Sequence, residues 1–472
     1  MMIWKHASVL LLLLTAQDGI FGFDYSIYHN YEEMTAILKN ISDTYDNLTE
    51  LYSIGQSHLG RQLWVMKISG GEDEIMRPHI KFVANVHGNE AVGREILLRL
   101  VEYLAEQYNV GDERVTRLLD YAHVHILPSL NPDGFERLLN ESRPGTEASA
   151  IHGGGCTNAQ DVDINKDFNS KSPQSETLAV KKWMDEIPFV LSASLGGNNI
   201  VGFYPFDSDQ SGDFSTVDED VFKELAFVYA KNHPTMMEDR PCSGYDYDLS
   251  GGFRPGGRDG GPHTNLPIAS TMMDYNYVVH GCMEISFQIS CHKFPRPREL
   301  PTFWENNKES LLAYMEAARG GMRGLVMDEE GDPVVNATLR VLGRESSTFR
   351  SSSKGEFCRI LLPSFYKFKV DAEGFEPRSG STTVTSRALD TEWPQVVNIT
   401  LYRPVARTST STTTQAPVPS EPCPTGYHRE SPRNMDVVLE QEGSPTRSNG
   451  EISIVSYWVP VLLVCVFPVF VN

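Results

Sequence analysis

The chain has 472 residues and a formal net charge of −21 at pH 7. That length is too great for one compact core, so two or more domains are expected. The excess of acidic residues argues against nucleic-acid binding and is typical of a soluble, acidic ectodomain.

The N-terminus predicts a signal peptide over residues 1–22. Lys5 and His6 precede a mostly apolar run, Ala7 to Ala16, which is too short to span a membrane. Passage through the secretory route is also favoured by five Asn-x-Ser/Thr sequons, which predict N-glycosylation at Asn40, Asn47, Asn140, Asn336 and Asn398.

Strand and helix patterns alternate along residues 23–320, which predicts an α/β domain with a mixed, mostly parallel sheet flanked by helices. The predicted strands are Leu63–Ile68, Ile80–Val86, Val124–Leu127, Phe189–Leu195 and Met283–Ser290. The predicted helices are Tyr31–Lys39, Ala91–Tyr108, Glu176–Met184, Asp220–Asn232 and Phe303–Ala318. In such folds ligands bind at the carboxyl ends of the strands.

His87 and Glu90 follow one of these strands, Ile80–Val86, and precede an amphipathic helix. Imidazole and carboxylate groups at a strand end predict a divalent metal site. A hydrolytic zinc site also needs a third protein ligand and a water molecule. The alternative is a solvated His and Glu at the start of a helix, and the rest of the chain has to decide between the two interpretations.

The pattern changes from Met322, where short β-rich runs alternate with turn signals. Residues 321–402 are predicted to form a small all-β sandwich. Residues 403–450 are rich in Thr, Ser and Pro and predict a disordered stalk. Residues 451–472 predict a GPI-attachment signal; a transmembrane helix is the alternative, disfavoured by the short run with Pro460 and Pro468. The predicted location is the extracellular face of the plasma membrane, with shedding as a further possibility.

Several motifs within residues 23–402 resemble those of the zinc carboxypeptidases of the N/E, or regulatory, group. They include His87-Gly88-Asn89-Glu90, Leu130-Asn131-Pro132-Asp133-Gly134, Tyr204-Pro205-Phe206-Asp207, Asp274-Tyr275-Asn276-Tyr277 and Leu300-Pro301-Thr302-Phe303-Trp304. The resemblance implies an α/β carboxypeptidase domain, a transthyretin-like sandwich and a GPI anchor. Active members would remove a C-terminal Arg or Lys residue from a peptide.

The resemblance implies five altered positions in the family's catalytic and substrate-binding machinery, of which the zinc ligand and the catalytic base come first. The resemblance implies that His87 and Glu90 are zinc ligands, but the position of the third ligand, a His, is occupied by Gly196. Zinc is therefore expected to bind weakly or not at all. Gln288 occupies the position of the catalytic Glu, and a neutral amide cannot accept a proton from water at neutral pH. Glu284 is retained on the same strand, where a structural role is expected.

The substrate-binding positions are partly retained. The resemblance assigns the substrate carboxylate to Asn165 and Lys166, although an Arg would stand at the latter position, and a preference for basic side chains to Asp207. Ordinary solvated charges are the alternative for Lys166 and Asp207. Cys156 stands at the position of the oxyanion-stabilising Arg, and Leu266 at that of a closing Tyr.

An oxidising compartment makes disulfides expected among six of the seven cysteines, because Cys465 lies in the apolar tail. The resemblance implies a pair between Cys242 and Cys282. Cys156 and Cys291 are candidates for a second pair. Cys358 and Cys423 have no evident partner.

These substitutions favour a carboxypeptidase-like protein without catalytic activity, which binds peptides or protein partners at the cell surface. Two alternatives are an active zinc metallocarboxypeptidase with displaced ligands and a structural or adhesive ectodomain with an unused cleft.

Overall fold

The computed structural model describes residues 23–71, 76–145, 155–208, 214–238, 242, 252–256, 267, 269–347, 349–385 and 395–404. The predicted signal peptide, nearly all of the predicted stalk, the predicted GPI signal, Leu266 and Cys423 lie outside these residues. Over the described ranges, no helix combines the length and the apolar character needed to cross a membrane.

An eight-stranded mixed sheet carries the larger part of the structure, in the order β1-β2-β4-β3-β5-β8-β6-β7. Its central strands β4, β3, β5 and β8 run parallel to one another, which brings their carboxyl ends to one edge. The strands are β1 Thr49–Gln56, β2 Gln62–Ile68, β3 His79–Ala84, β4 His123–Leu127, β5 Phe189–Gly196, β6 Asn199–Tyr204, β7 Phe253–Pro255 and β8 Met283–Ser290.

Helices cover this sheet. They are α1 Tyr31–Thr44, α2 Val92–Asn109, α3 Glu113–Tyr121, α4 Pro132–Glu141, α5 Ser175–Glu186, α6 Glu219–Ala230, α7 Met272–His280 and α8 Leu300–Glu316. Every residue of β5 is buried, as expected for a parallel strand covered on both faces. A capping box of Asn30 and Glu33 begins α1 by satisfying free backbone N–H groups. The predicted α/β fold is confirmed.

Short strands in two further sheets follow α8. One sheet has the order β11-β10-β13-β14; in the other, β9 lies between β12 and β15 and also pairs with β16. Their apolar side chains form a separate core that includes Val326, Leu339 and Val370. The predicted all-β region is confirmed. The strands are β9 Met322–Met327, β10 Thr338–Val341, β11 Phe349–Arg350, β12 Glu356–Arg359, β13 Ser364–Asp371, β14 Arg378–Val384, β15 Gln395–Val396 and β16 Ile399–Thr400.

Buried charges join this β sandwich to the α/β body. Asp218 of the body is fully buried, and its carboxylate accepts hydrogen bonds from Arg359 at 2.6 Å and Arg344 at 3.0 Å. Arg359, at the end of β12, also donates to the backbone oxygen of Gly281 at 2.9 Å. The sandwich is therefore attached near the start of β8, far from the carboxyl ends of the parallel strands.

The disulfide differs from both predicted pairs. Cys242 is bonded to Cys291, while Cys282 is a buried free thiol and Cys156 a partly buried free thiol. Cys282 precedes β8 and Cys291 follows it. An eight-residue strand spans roughly 26 Å, so Cys242 cannot reach both ends. The predicted Cys242–Cys282 pair is wrong because Cys242 lies at the carboxyl end of β8.

Candidate functional site

A cleft of about 260 Å³ opens at the carboxyl ends of the parallel strands. Gly196 at the end of β5 pairs with Gln288 of β8 in the sheet register, so two positions distant in sequence lie side by side. Several predicted site residues converge here with polar groups that the motifs did not single out. The polar side chains lining the cleft are His87, Glu90, Asn165, Ser194, Asn198, Asn199, Asp207, Ser286, Gln288 and Lys293.

The turn after β3 presents His87 and Glu90 to this cleft. Asn85 begins the turn with a φ of 56°, a left-handed conformation that Asn tolerates better than most residues. Its buried amide donates to the backbone oxygens of His87 at 3.1 Å and Gly88 at 2.8 Å. These bonds hold the segment that leads into α2.

His87 lies between two carboxylates. Its Nδ1 is 3.2 Å from Oε1 of Glu90, and its Nε2 is 3.1 Å from Oδ1 of Asp163. Burial alone would lower the pKa of His87, but Glu90 and Asp163 together raise it well above its usual value. A carboxylate on the far ring nitrogen is the partner that orients a metal-binding histidine in many sites. Asp163 begins the Asp163-Ile164-Asn165 run, so that motif already contained a signal for this role.

Lys293 is the cation that the sequence interpretation missed. Its Nζ lies 3.1 Å from Oε1 of Glu90, and the backbone N–H of Gly197 donates to Oε2 of Glu90 at 3.3 Å. Burial would raise the pKa of Glu90, but Lys293 and His87 lower it to about 2. Glu90 is thus an ionised carboxylate already paired with cationic neighbours. Lys293 follows β8 by three residues, and its place after a parallel strand was the available signal.

Gly196, the position expected for a third zinc ligand, is crowded. A Cβ atom there would lie 2.6 Å from Oε1 of Gln288 and 2.7 Å from Oε2 of Glu90. A larger side chain would require both neighbours to move. Within the described ranges, no three His, Cys, Asp or Glu residues are grouped so that they could hold a metal ion. The donor set at this place does not fit a three-ligand zinc site.

Gln288 and Glu284 lie four residues apart on β8. Nε2 of Gln288 donates to the hydroxyl of Ser286 at 3.2 Å, and its side chain faces the cleft. Glu284 is fully buried, 2.9 Å from Nζ of Lys81, and also accepts a hydrogen bond from Asn276. Glu284 is therefore an internal structural charge and not a substitute base.

Of the two residues predicted to bind a substrate carboxylate, Asn165 alone lines the cleft. Its side-chain oxygen accepts from the backbone N–H of Met272 at 3.2 Å, which turns its amide nitrogen toward other partners. Lys166 is not among the lining residues; its Nζ is 3.1 Å from Oδ2 of Asp163, and 37% of its side chain is exposed. The nearest cation to Glu90 in the cleft is Lys293 instead.

Asp207 lines the cleft and is partly buried. Its backbone N–H donates to Oδ1 of Asp274 at 3.0 Å. Burial and the negative charge of Asp274 raise the pKa of Asp207 to about 8. Gly256 lies against it, and a Cβ at Gly256 would be 2.7 Å from Oδ1 of Asp207. The side chain is thus mainly protonated at pH 7 and would ionise when a cation approaches.

Two predicted positions remain, Cys156 and Leu266. Cys156 is not a lining residue, and its backbone oxygen accepts a hydrogen bond from Asn131 at 3.5 Å. No arginine is found among the described residues that line the cleft. The position assigned to a closing Tyr, Leu266, lies outside the described residues.

A comparison with protein families matches residues 34–310 to the model of the zinc carboxypeptidases. The chain belongs to this family. It is 36% identical to carboxypeptidase M of Mus musculus over 76% of the chain and 82% of that protein. It is 33% identical to the carboxypeptidase N catalytic chain of Rattus norvegicus over 76% of the chain and 83% of that protein.

Carboxypeptidase D of Homo sapiens is 37% identical over 80% of the chain, but the chain covers only 27% of that relative's length. Membership confirms the resemblance to the zinc carboxypeptidases that the motifs indicated. The name of the family implies that its members bind zinc. The side chains around Gly196 do not supply a third protein ligand for such a site.

Proposed function

We propose that this member of the zinc carboxypeptidase family binds peptides in the cleft without hydrolysing them. The observation that carries the proposal is the Gly196–Gln288 pair. These neighbours on β5 and β8 stand where a zinc-binding His and a catalytic Glu are expected, and the amide of Gln288 fills the space beside Gly196.

Each substitution removes a different part of the hydrolytic chemistry. Without a third protein ligand, a divalent cation loses a donor and has to compete with Lys293 for Glu90. Without a carboxylate base at position 288, proton abstraction from water loses about 100- to 10,000-fold in rate. The missing metal ligand and the missing base both impair activation of the same water molecule, so neither loss compensates for the other.

The groups that remain suit a peptide with a basic C-terminal residue. Asp207, which lines the cleft, would lose its proton and pair with the basic side chain of the peptide. The amide nitrogen of Asn165 would donate to the terminal carboxylate. Lys166 can bind the terminal carboxylate only if its ion pair with Asp163 breaks. The proposed ligands are peptides or protein C-termini at the extracellular face of the plasma membrane, where a GPI anchor would hold the protein.

The deciding experiment uses the full secreted chain. Zinc is measured by elemental analysis, release of C-terminal Lys or Arg is assayed, and peptide binding is measured by calorimetry. We expect substoichiometric zinc, no turnover, and tighter binding of a peptide ending in Lys than of its C-terminal amide. The Asp207→Asn variant should lose the preference for Lys. Mouse carboxypeptidase M serves as the assay control.

The outcomes separate the alternatives. Stoichiometric zinc together with turnover that a chelator abolishes would establish an active metallocarboxypeptidase. No turnover and equal binding of the free-acid and amidated peptides would support a structural ectodomain with an unused cleft.

A further inference from the structure

A second and larger cavity, of about 710 Å³, lies at the opposite end of the central sheet. The first residues of β3 and β4, His79 and His123, line it, together with the end of α5. The sandwich supplies the remaining wall through Arg350 of β11 and the loop that leads to β12. The cavity is therefore built jointly by body and sandwich and is separate from the cleft at the carboxyl ends.

The cations of this cavity are only partly neutralised. Arg350 and Lys354 line it, and neither forms an ion pair with a carboxylate among the described residues. Lys67 and Arg77 add positive charge, although Lys67 pairs with the exposed Glu50 at 3.2 Å. The described lining contains four cations and three carboxylates, which is a small local excess of positive charge in a chain with a net charge of −21.

The carboxylates that line the same cavity are engaged or turned to solvent. Glu356 accepts hydrogen bonds from the backbone N–H of Met76 at 2.6 Å and from the hydroxyl of Ser352 at 3.1 Å. The side chains of Asp185 and Glu186 are 71% and 61% exposed, and Glu186 lies 3.6 Å from Nζ of Lys182. These three carboxylates therefore leave Arg350 and Lys354, the cations of the sandwich wall, available to bind an anion.

Two stacked imidazoles lie beside these cations. The rings of His79 and His123 lie 4.6 Å apart between centroids. Burial first, then Arg77, Lys67 and Lys354, lowers the pKa of His123 to about 3. Burial first, then His123 and the same three cations, lowers the pKa of His79. Both rings are thus neutral at physiological pH and place no further charge in the cavity.

We propose that this cavity binds a sulfate or phosphate monoester carried by a sugar-sized polar ligand, with Arg350 and Lys354 holding the oxyanion. A guanidinium and an ammonium are the side chains best suited to such an anion, because charge-assisted hydrogen bonds are stronger than neutral ones. The cavity volume falls within the range of small-molecule sites. The exposed hydroxyl of Ser353 adds a further polar group at the opening.

The sequon residue Asn336 is exposed and also lines the cavity, so a glycan there would change access. Binding is therefore measured on the full secreted chain before and after enzymatic removal of N-glycans. The ligands are a heparin-derived sulfated disaccharide, its unsulfated counterpart and glucose 6-phosphate. The sulfated and phosphorylated arms distinguish the two sources of a tetrahedral oxyanion.

The test variant is Arg350→Ala/Lys354→Ala, and the matched control is Lys367→Ala/Arg378→Ala, two exposed cations that do not line the cavity. We expect at least one esterified sugar to bind, with affinity that falls as salt rises. The test variant should lose at least tenfold in affinity and the control less than twofold. An Arg350→Gln/Lys354→Gln variant serves if the alanine variant is unstable.

Equal binding of sulfated and unsulfated sugars would overturn the proposal, as would unchanged affinity in the test variant or no binding of either ester to the deglycosylated protein. Binding of a Lys-terminated peptide in the other cleft should be the same in the test variant and the wild type. That comparison separates failure of this inference from failure of the proposed peptide binding.

Discussion

The two ends of β8 carry side chains of similar size on the same face of the strand, but only one of them is charged. Glu284, near the amino end, is buried against Lys81 and attached to a hydrogen-bond network. Gln288, near the carboxyl end, is a neutral amide that faces the cleft. The buried network therefore ties Glu284 to the fold, whereas Gln288 contacts the cleft and is open to substitution.

The largest loss of stability is expected from a substitution at the amino end of β8. Lys81→Ala would remove the cation that pairs with Glu284 in the core, which should lower the free energy of unfolding by about 3–5 kcal/mol. Urea denaturation followed by circular dichroism measures the loss. Gln288→Ala is the control on the same strand and should cost less than about 1.5 kcal/mol. Similar losses in the two variants would contradict the contrast between the two ends.

A smaller loss of stability is expected for Arg359→Ala. This substitution removes a buried partner of Asp218 where the sandwich meets the body. Arg344 still reaches Asp218, so we expect about 3 kcal/mol of destabilisation. Thermal unfolding monitored by calorimetry measures it. Arg378→Ala, on the exposed strand β14, should be nearly neutral. A neutral Arg359→Ala variant would show that the ion pair does not hold the sandwich in place.

The double variant Gly196→His/Gln288→Glu introduces the family's zinc-binding His and catalytic Glu near the carboxyl ends of β5 and β8. We expect zinc affinity to rise at least 100-fold, because the double variant completes a three-ligand set and places a carboxylate where the amide of Gln288 stands beside position 196. In the absence of zinc the same variant should be less stable by about 1–3 kcal/mol, because the new side chain needs space. Metal titration and urea denaturation give the two values, and Gln288→Glu alone is the control.

The smallest effect concerns pH. The pKa of Asp207 is raised to about 8, so the carboxyl is protonated below that pH and must lose its proton to pair with a cationic ligand. Affinity for an N-acetylated peptide ending in Lys should therefore rise by up to about tenfold per pH unit from pH 6 to 8 and then level off. Calorimetry at several pH values tests this. The profile should be flat in Asp207→Asn, and a falling profile in the wild type would contradict the assignment.

The sequence by itself determined the α/β order and the β-rich region that follows it, while the substituted site positions stay a prediction. Strand and helix periods are local, and a motif such as His87-Gly88-Asn89-Glu90 contains its own spacing. Gly196 and Gln288 could therefore be identified as departures without knowledge of their contacts. The predicted strand Met283–Ser290 even has the observed bounds.

Tertiary structure decided which of these residues interact. The pairing of Lys293 with Glu90, the diversion of Lys166 to Asp163, and the bond between Cys242 and Cys291 were not evident from the chain. The raised pKa of Asp207 depends likewise on burial beside Asp274. Each of these contacts depends on strand register, loop path or burial, and local sequence patterns contain no information about the distance between segments that meet only after folding.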